Sequence, residues 1–106
     1  MITILYTPKV SEYLNNLINI LYENDYFGYR ESAKVYVIDL RNEIESSLPL
    51  LTPRFPRYRR KIYGKNTKYI IIRKNKYTSY YIFFLQKADK YIVTYIGNNH
   101  TDAQYI

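Results

Sequence analysis

His100 is the chain's one histidine, and only an imidazole has an ordinary pKa close to neutrality. It is therefore the side chain here best suited to take and return a proton near pH 7. Tyr105 follows it in the tail, and Arg73, Lys74 and Lys76 form a short cationic group upstream. Cations, an imidazole and a phenol suffice for one reaction, the cutting of RNA by its own 2′-hydroxyl. A base takes the hydroxyl proton, cations stabilise the phosphorane, and an acid protonates the departing 5′-oxygen. No metal is required. The plainer reading of Arg73, Lys74 and Lys76 is a solvated turn, and that of a lone His after a strand is a surface or capping residue.

Other chemistries find little support. The chain has no Cys, so it has neither disulfides nor thiolate metal ligands. One His and no Cys leave too few of the usual side-chain ligands to surround a metal ion. No nucleophile motif supports a Ser-His-Asp triad, and no Gly-rich loop is present to cradle phosphate. The expectation is a protein without metal or cofactor.

Sixteen Lys and Arg against nine Asp and Glu leave a formal charge of +7, a field that attracts nucleic acid or an acidic protein. The densest basic segment is Arg54-Phe55-Pro56-Arg57-Tyr58-Arg59-Arg60-Lys61. Cations interleaved with rings suit phosphates plus stacking. They equally suit an acidic or amphipathic protein segment. Fifteen Tyr read mainly as core and rim packing with wet hydroxyls.

These groups must be positioned by a single domain spanning 1–106, a length sufficient for one core. Residues 2–6 are a short β-favouring run, followed by Thr7 as a helix cap and Pro8 in the first turn. Val10, Tyr13, Leu14, Leu17, Ile18 and Leu21 then recur at helical spacing, to an end near Asn24. After a short turn over 24–28, Ala33, Val37, Leu40, Ile44 and Leu48 share a second helical face, which Pro49 terminates. So short a link predicts an antiparallel helical hairpin.

Residues 50–61 read as a stiff basic connector, and strands follow at 68–74, 79–86 and 91–96. The middle strand is apolar on both faces and should be central. The tail from 97 to 106 carries His100. The predicted class is α+β, in the order β-α-α-β-β-β. The hairpin covers one face of a sheet made of the first strand and a three-stranded antiparallel meander, and the other face is left partly open. No run is long enough to span a bilayer, and residues 1–10 do not resemble a secretion signal, so cytoplasmic residence without membrane contact is expected.

Three stretches carry a resemblance: Tyr29-Arg30-Glu31-Ser32-Ala33; Tyr69-Ile70-Ile71-Ile72-Arg73 with Tyr80-Tyr81-Ile82-Phe83-Phe84; and Tyr95-Ile96-Gly97-Asn98-Asn99-His100. With the element order, they resemble the RelE/ParE superfamily of bacterial toxins from toxin–antitoxin pairs. The resemblance implies an acidic antitoxin as partner and inhibition of growth. RelE-like members cut mRNA on the ribosome with basic sheet residues and a C-terminal His or Tyr. Carried over, this makes Arg73, Lys74, His100 and Tyr105 catalytic, with Lys76, Arg54, Arg57, Arg59, Arg60 and Lys61 on the RNA. ParE-like members share the fold and bind DNA gyrase instead. A phage-type adaptor without toxicity is a further alternative. The cutting branch usually carries Arg on its last two strands, whereas 79–86 and 91–96 contain none, and Asp102 follows His100 closely.

Overall fold

Thr7 and Pro8 begin the first helix as their chemistry requires. The Val10 N–H donates to Thr7 Oγ1 at 3.3 Å, and the Ser11 N–H to the Thr7 carbonyl at 3.0 Å. The computed structural model describes residues 1–23, 29–56 and 66–99. Its elements are β1 (Thr3–Tyr6), α1 (Pro8–Glu23), α2 (Arg30–Ser47), β2 (Lys68–Arg73), β3 (Ser79–Lys87) and β4 (Lys90–Asn98). The fold is α+β in the expected order, with the helices packed on the sheet. The turn expected over 24–28 lies outside the described residues.

The sheet order is β1-β4-β3-β2, with β1 parallel to β4 and the meander antiparallel. β3 is therefore interior, as its apolar faces require. Val10, Leu14, Leu17 and Leu21 of α1 meet Ala33, Val37, Leu40 and Ile44 of α2 over Ile70, Ile72, Ile82, Phe84, Val93 and Ile96. Each helix buries the stripe that its spacing marks out. Burying a Leu, Ile or Phe contributes about 1.5–3 kcal/mol, so this layer dominates the stability.

The opposite face is not open at its centre. Tyr69, Tyr81 and Phe83 form a second buried cluster, with Ile71 and Tyr95 against it, and Phe83 is 0% exposed. A bulge between Phe83 and Phe84 makes both faces possible. Phe83 pairs with Tyr95 and Phe84 with Val93, so Thr94 is the extra residue. The slip changes the phase of β4, and Val93 and Ile96 both reach the helical side while Tyr95 joins Phe83.

Residues 51–56 run without regular structure, as expected of the connector. Arg54 nevertheless makes one antiparallel bridge along the outer edge of β2. The Arg54 and Tyr69 backbones exchange two hydrogen bonds of 2.9 Å. Among the described residues, no helix is long and apolar enough to cross a membrane.

Candidate functional site

On the face away from the helices, the meander register stacks side chains in cross-strand rows. Tyr69, Phe83 and Tyr95 make one row, with ring centroids 5.4 and 5.6 Å apart. Ile71, Tyr81 and Gly97 make the next. Arg73 opposite Ser79 begins a third, and Asn99 completes it through hydrogen bonds to Ser79. The face thus changes from aromatic to polar along the strands, and the polar row lies where β4 leaves the sheet towards residue 100.

The corner is tightly tied. The Asn99 N–H donates to the Ser79 carbonyl at 3.1 Å, and the Ser79 N–H donates to Asn99 Oδ1 at 2.9 Å. Asn99 Nδ2 donates to the Tyr77 carbonyl at 3.0 Å, so one amide joins the end of β4 to the β2–β3 turn. Inside the turn, Asn75 Oδ1 accepts from the N–H groups of Tyr77 (2.8 Å) and Thr78 (3.0 Å). The Lys74 N–H donates to the Thr78 carbonyl at 3.0 Å.

The cations of this region divide between two environments. Arg73 is exposed on the aromatic side of the sheet, and Lys76 is exposed in the turn with its Nζ 5.6 Å from the Tyr77 ring centroid. Among the described residues, neither is paired with a carboxylate. Lys74 turns to the helical side, where its ammonium pairs with Glu43 of α2 and lies 5.1 Å from the Tyr36 ring centroid. Its side chain is 13% exposed, so it ties the turn to the helix rather than facing solvent.

Arg73 does not stand on a strand beside β4. β3 lies between β2 and β4, which sets their axes about 10 Å apart. Arg73 reaches towards Asn99 only across Ser79. Arg54 bridges Tyr69, roughly 13 Å along β2 from Arg73, so these cations do not share one cluster. Arg57, Arg59, Arg60, Lys61, His100 and Tyr105 lie outside the described residues.

A second polar contact joins sheet to hairpin at Tyr6. Its hydroxyl donates to Glu45 Oε2 at 2.8 Å, Arg41 Nε lies 3.3 Å from the same oxygen, and the Arg41 guanidinium sits 4.8 Å from the Tyr6 ring centroid. Burial first, then the hydrogen bond and negative charge of Glu45, raise the Tyr6 phenol well above its ordinary value of 10.0. The arrangement holds β1 against α2 and makes no nucleophile at neutral pH. Among the described residues, no group of His, Asp and Glu is gathered as a metal site.

Sequence reasoning overlooked Glu43, Tyr77, Ser79 and Asn99. The Asn75-Lys76-Tyr77-Thr78 stretch does carry a local signal, because Asn favours a side-chain-closed turn. The bonds from Asn99 to Ser79 and Tyr77 have none, since they depend on strand register. Compared with known protein families, curated proteins and solved structures, the chain matches none of them.

Proposed function

We propose that this chain is a RelE/ParE-like toxin, held by an acidic antitoxin and acting in the cytoplasm as a metal-independent, ribosome-associated mRNA endoribonuclease. The observation that carries this reading is the polar row at one end of the sheet. Exposed Arg73 and the Ser79–Asn99 pair sit where the chain continues into His100. The β-α-α-β-β-β order and the charge of +7 agree with it. In the proposed reaction the 2′-oxygen forms a bond to phosphorus as the bond to the 5′-oxygen breaks. His100 moves the protons and Arg73 steadies the phosphorane. Tyr105 supplies a hydroxyl or a stacking ring, and the 57–61 segment holds the RNA or the antitoxin.

Lys74 favours a second reading. Its ion pair with Glu43 removes one cation from the substrate side, and β3 and β4 contain no Arg. A binding-only toxin directed at DNA gyrase needs no such set. Induction in a bacterial host, followed by cleavage assays on ribosome-bound mRNA, separates the two. The nuclease reading expects protein synthesis to fail first and His100→Ala to slow cutting at least about a hundredfold. Growth arrest with intact mRNA and lost supercoiling transfers the assignment to gyrase. Absence of any growth effect rejects the toxin reading.

A further inference from the structure

Tyr77 is the least expected side chain on this surface. It is 71% exposed at the tip of the β2–β3 turn, although the surrounding backbone is held from three sides. Its N–H is closed by Asn75 Oδ1, its carbonyl accepts from Asn99 Nδ2, and the turn is closed between Lys74 and Thr78. A large ring held out on a fixed backbone loses little conformational freedom when a flat partner covers it. Lys76 Nζ lies 5.6 Å from its ring centroid and Arg73 is exposed where β2 enters the same turn, with no carboxylate paired to either among the described residues.

We propose that the β2–β3 turn is a base-stacking platform for single-stranded RNA. Tyr77 takes one base on its ring, and Lys76 and Arg73 hold the flanking phosphates. Charge complementarity selects this occupant: a ring beside exposed cations that have no carboxylate partner among the described residues, on a chain of +7, matches a strand that alternates flat bases with anions. The platform shares a corner with the end of β4 through Asn99, so a strand stacked there passes the segment that leads into His100. This inference rests on the RNA reading above and adds to it the point where the substrate is gripped.

The test is fluorescence anisotropy of a labelled 12-nucleotide oligouridine over a range of salt, with a labelled polyglutamate peptide as the competing class. Because the ring is exposed, its removal leaves the fold intact, and a melting curve for each variant checks that. Tyr77→Ala is expected to weaken RNA binding about 5- to 150-fold with little change in salt dependence. Tyr77→Phe stays within about twofold of the native chain. Lys76→Ala lowers the log–log salt slope by roughly 0.7. If Tyr77→Ala binds oligouridine as tightly as the native chain, the platform is overturned and the RNA reading stands. If the native chain does not bind oligouridine, the platform is overturned, and the nuclease reading is then decided by the cleavage of ribosome-bound mRNA alone. A Tyr77 effect on RNA binding without any mRNA cleavage supports the platform and removes only the nuclease step. Loss of polyglutamate binding with RNA binding intact overturns the platform in favour of an acidic protein.

Discussion

Asn99 and Ser79 are joined by a reciprocal pair of hydrogen bonds, one from backbone to backbone and one from backbone to side chain, at 3.1 and 2.9 Å. The same Asn99 amide also donates to the Tyr77 carbonyl. One residue therefore ties the end of β4 to the start of β3 and to the β2–β3 turn beside it. Asn99→Ala leaves the Ser79 N–H and the Tyr77 carbonyl without these partners. The expected loss is about 1–2 kcal/mol in urea denaturation, because water replaces part of what is removed at this half-buried corner. Asn99→Asp keeps the acceptor for Ser79 and loses the donor to Tyr77, so it should fall between the two. Equal stability of all three would show that the corner is not held by this amide.

Lys74 and Glu43 form a partly buried pair, with side chains 13% and 42% exposed. Exposed pairs contribute up to about 1 kcal/mol, and breaking a fully buried one costs about 3–5 kcal/mol. Lys74→Met should therefore lower stability by about 1–2 kcal/mol, and a double-mutant cycle with Glu43→Gln should show coupling. RNA cutting, where measured at a temperature at which both proteins are folded, should change little. A large loss of cutting with unchanged stability would return Lys74 to the substrate side.

Tyr6 gives the protein an alkaline limit of calculable sign. Its phenol is raised above 10.0, so the folded state holds this proton more tightly than the unfolded chain does. The resulting contribution is complete below about pH 10 and is lost as pH rises towards the folded value. Tyr6→Phe removes the hydrogen bond to Glu45 and should cost about 1 kcal/mol at pH 7. The gap between native and variant stability should then close as pH rises above 10. Chemical denaturation of both proteins at pH 7 to 11 checks this, and a constant gap would refute it.

Phe83 decides whether the face away from the helices is a working surface or a second core. It is fully buried between Tyr69 and Tyr95. Phe83→Ala should cost about 3–5 kcal/mol, as much as truncating Phe84 on the helical side. A loss below 1 kcal/mol would mean that the aromatic row contributes little to the fold.

Much of this architecture was legible in the residues alone. The stripes of α1 and α2, the Thr7 cap, the stop at Pro49 and the interior position of β3 all follow from local chemistry: a helix or strand writes its buried face into its spacing. The candidate site was legible only as a set of residue types. Arg73, Lys74 and Lys76 are near neighbours in sequence, yet the alternation of the strand and the pull of Glu43 put Lys74 on the opposite side from Arg73. Alternation along 68–74 signals the opposite faces, but nothing there signals the partner that holds Lys74, because Glu43 comes from another element. The bulge at Thr94 is of the same kind. Simple alternation would place Val93 and Tyr95 on one face, and only pairing with Phe83 and Phe84 shifts the phase so that both sides of the sheet are filled. Local propensity therefore determined which segments are helix and strand. Which side chains meet was decided by long-range register, whose energy comes from contacts that no stretch of sequence contains by itself.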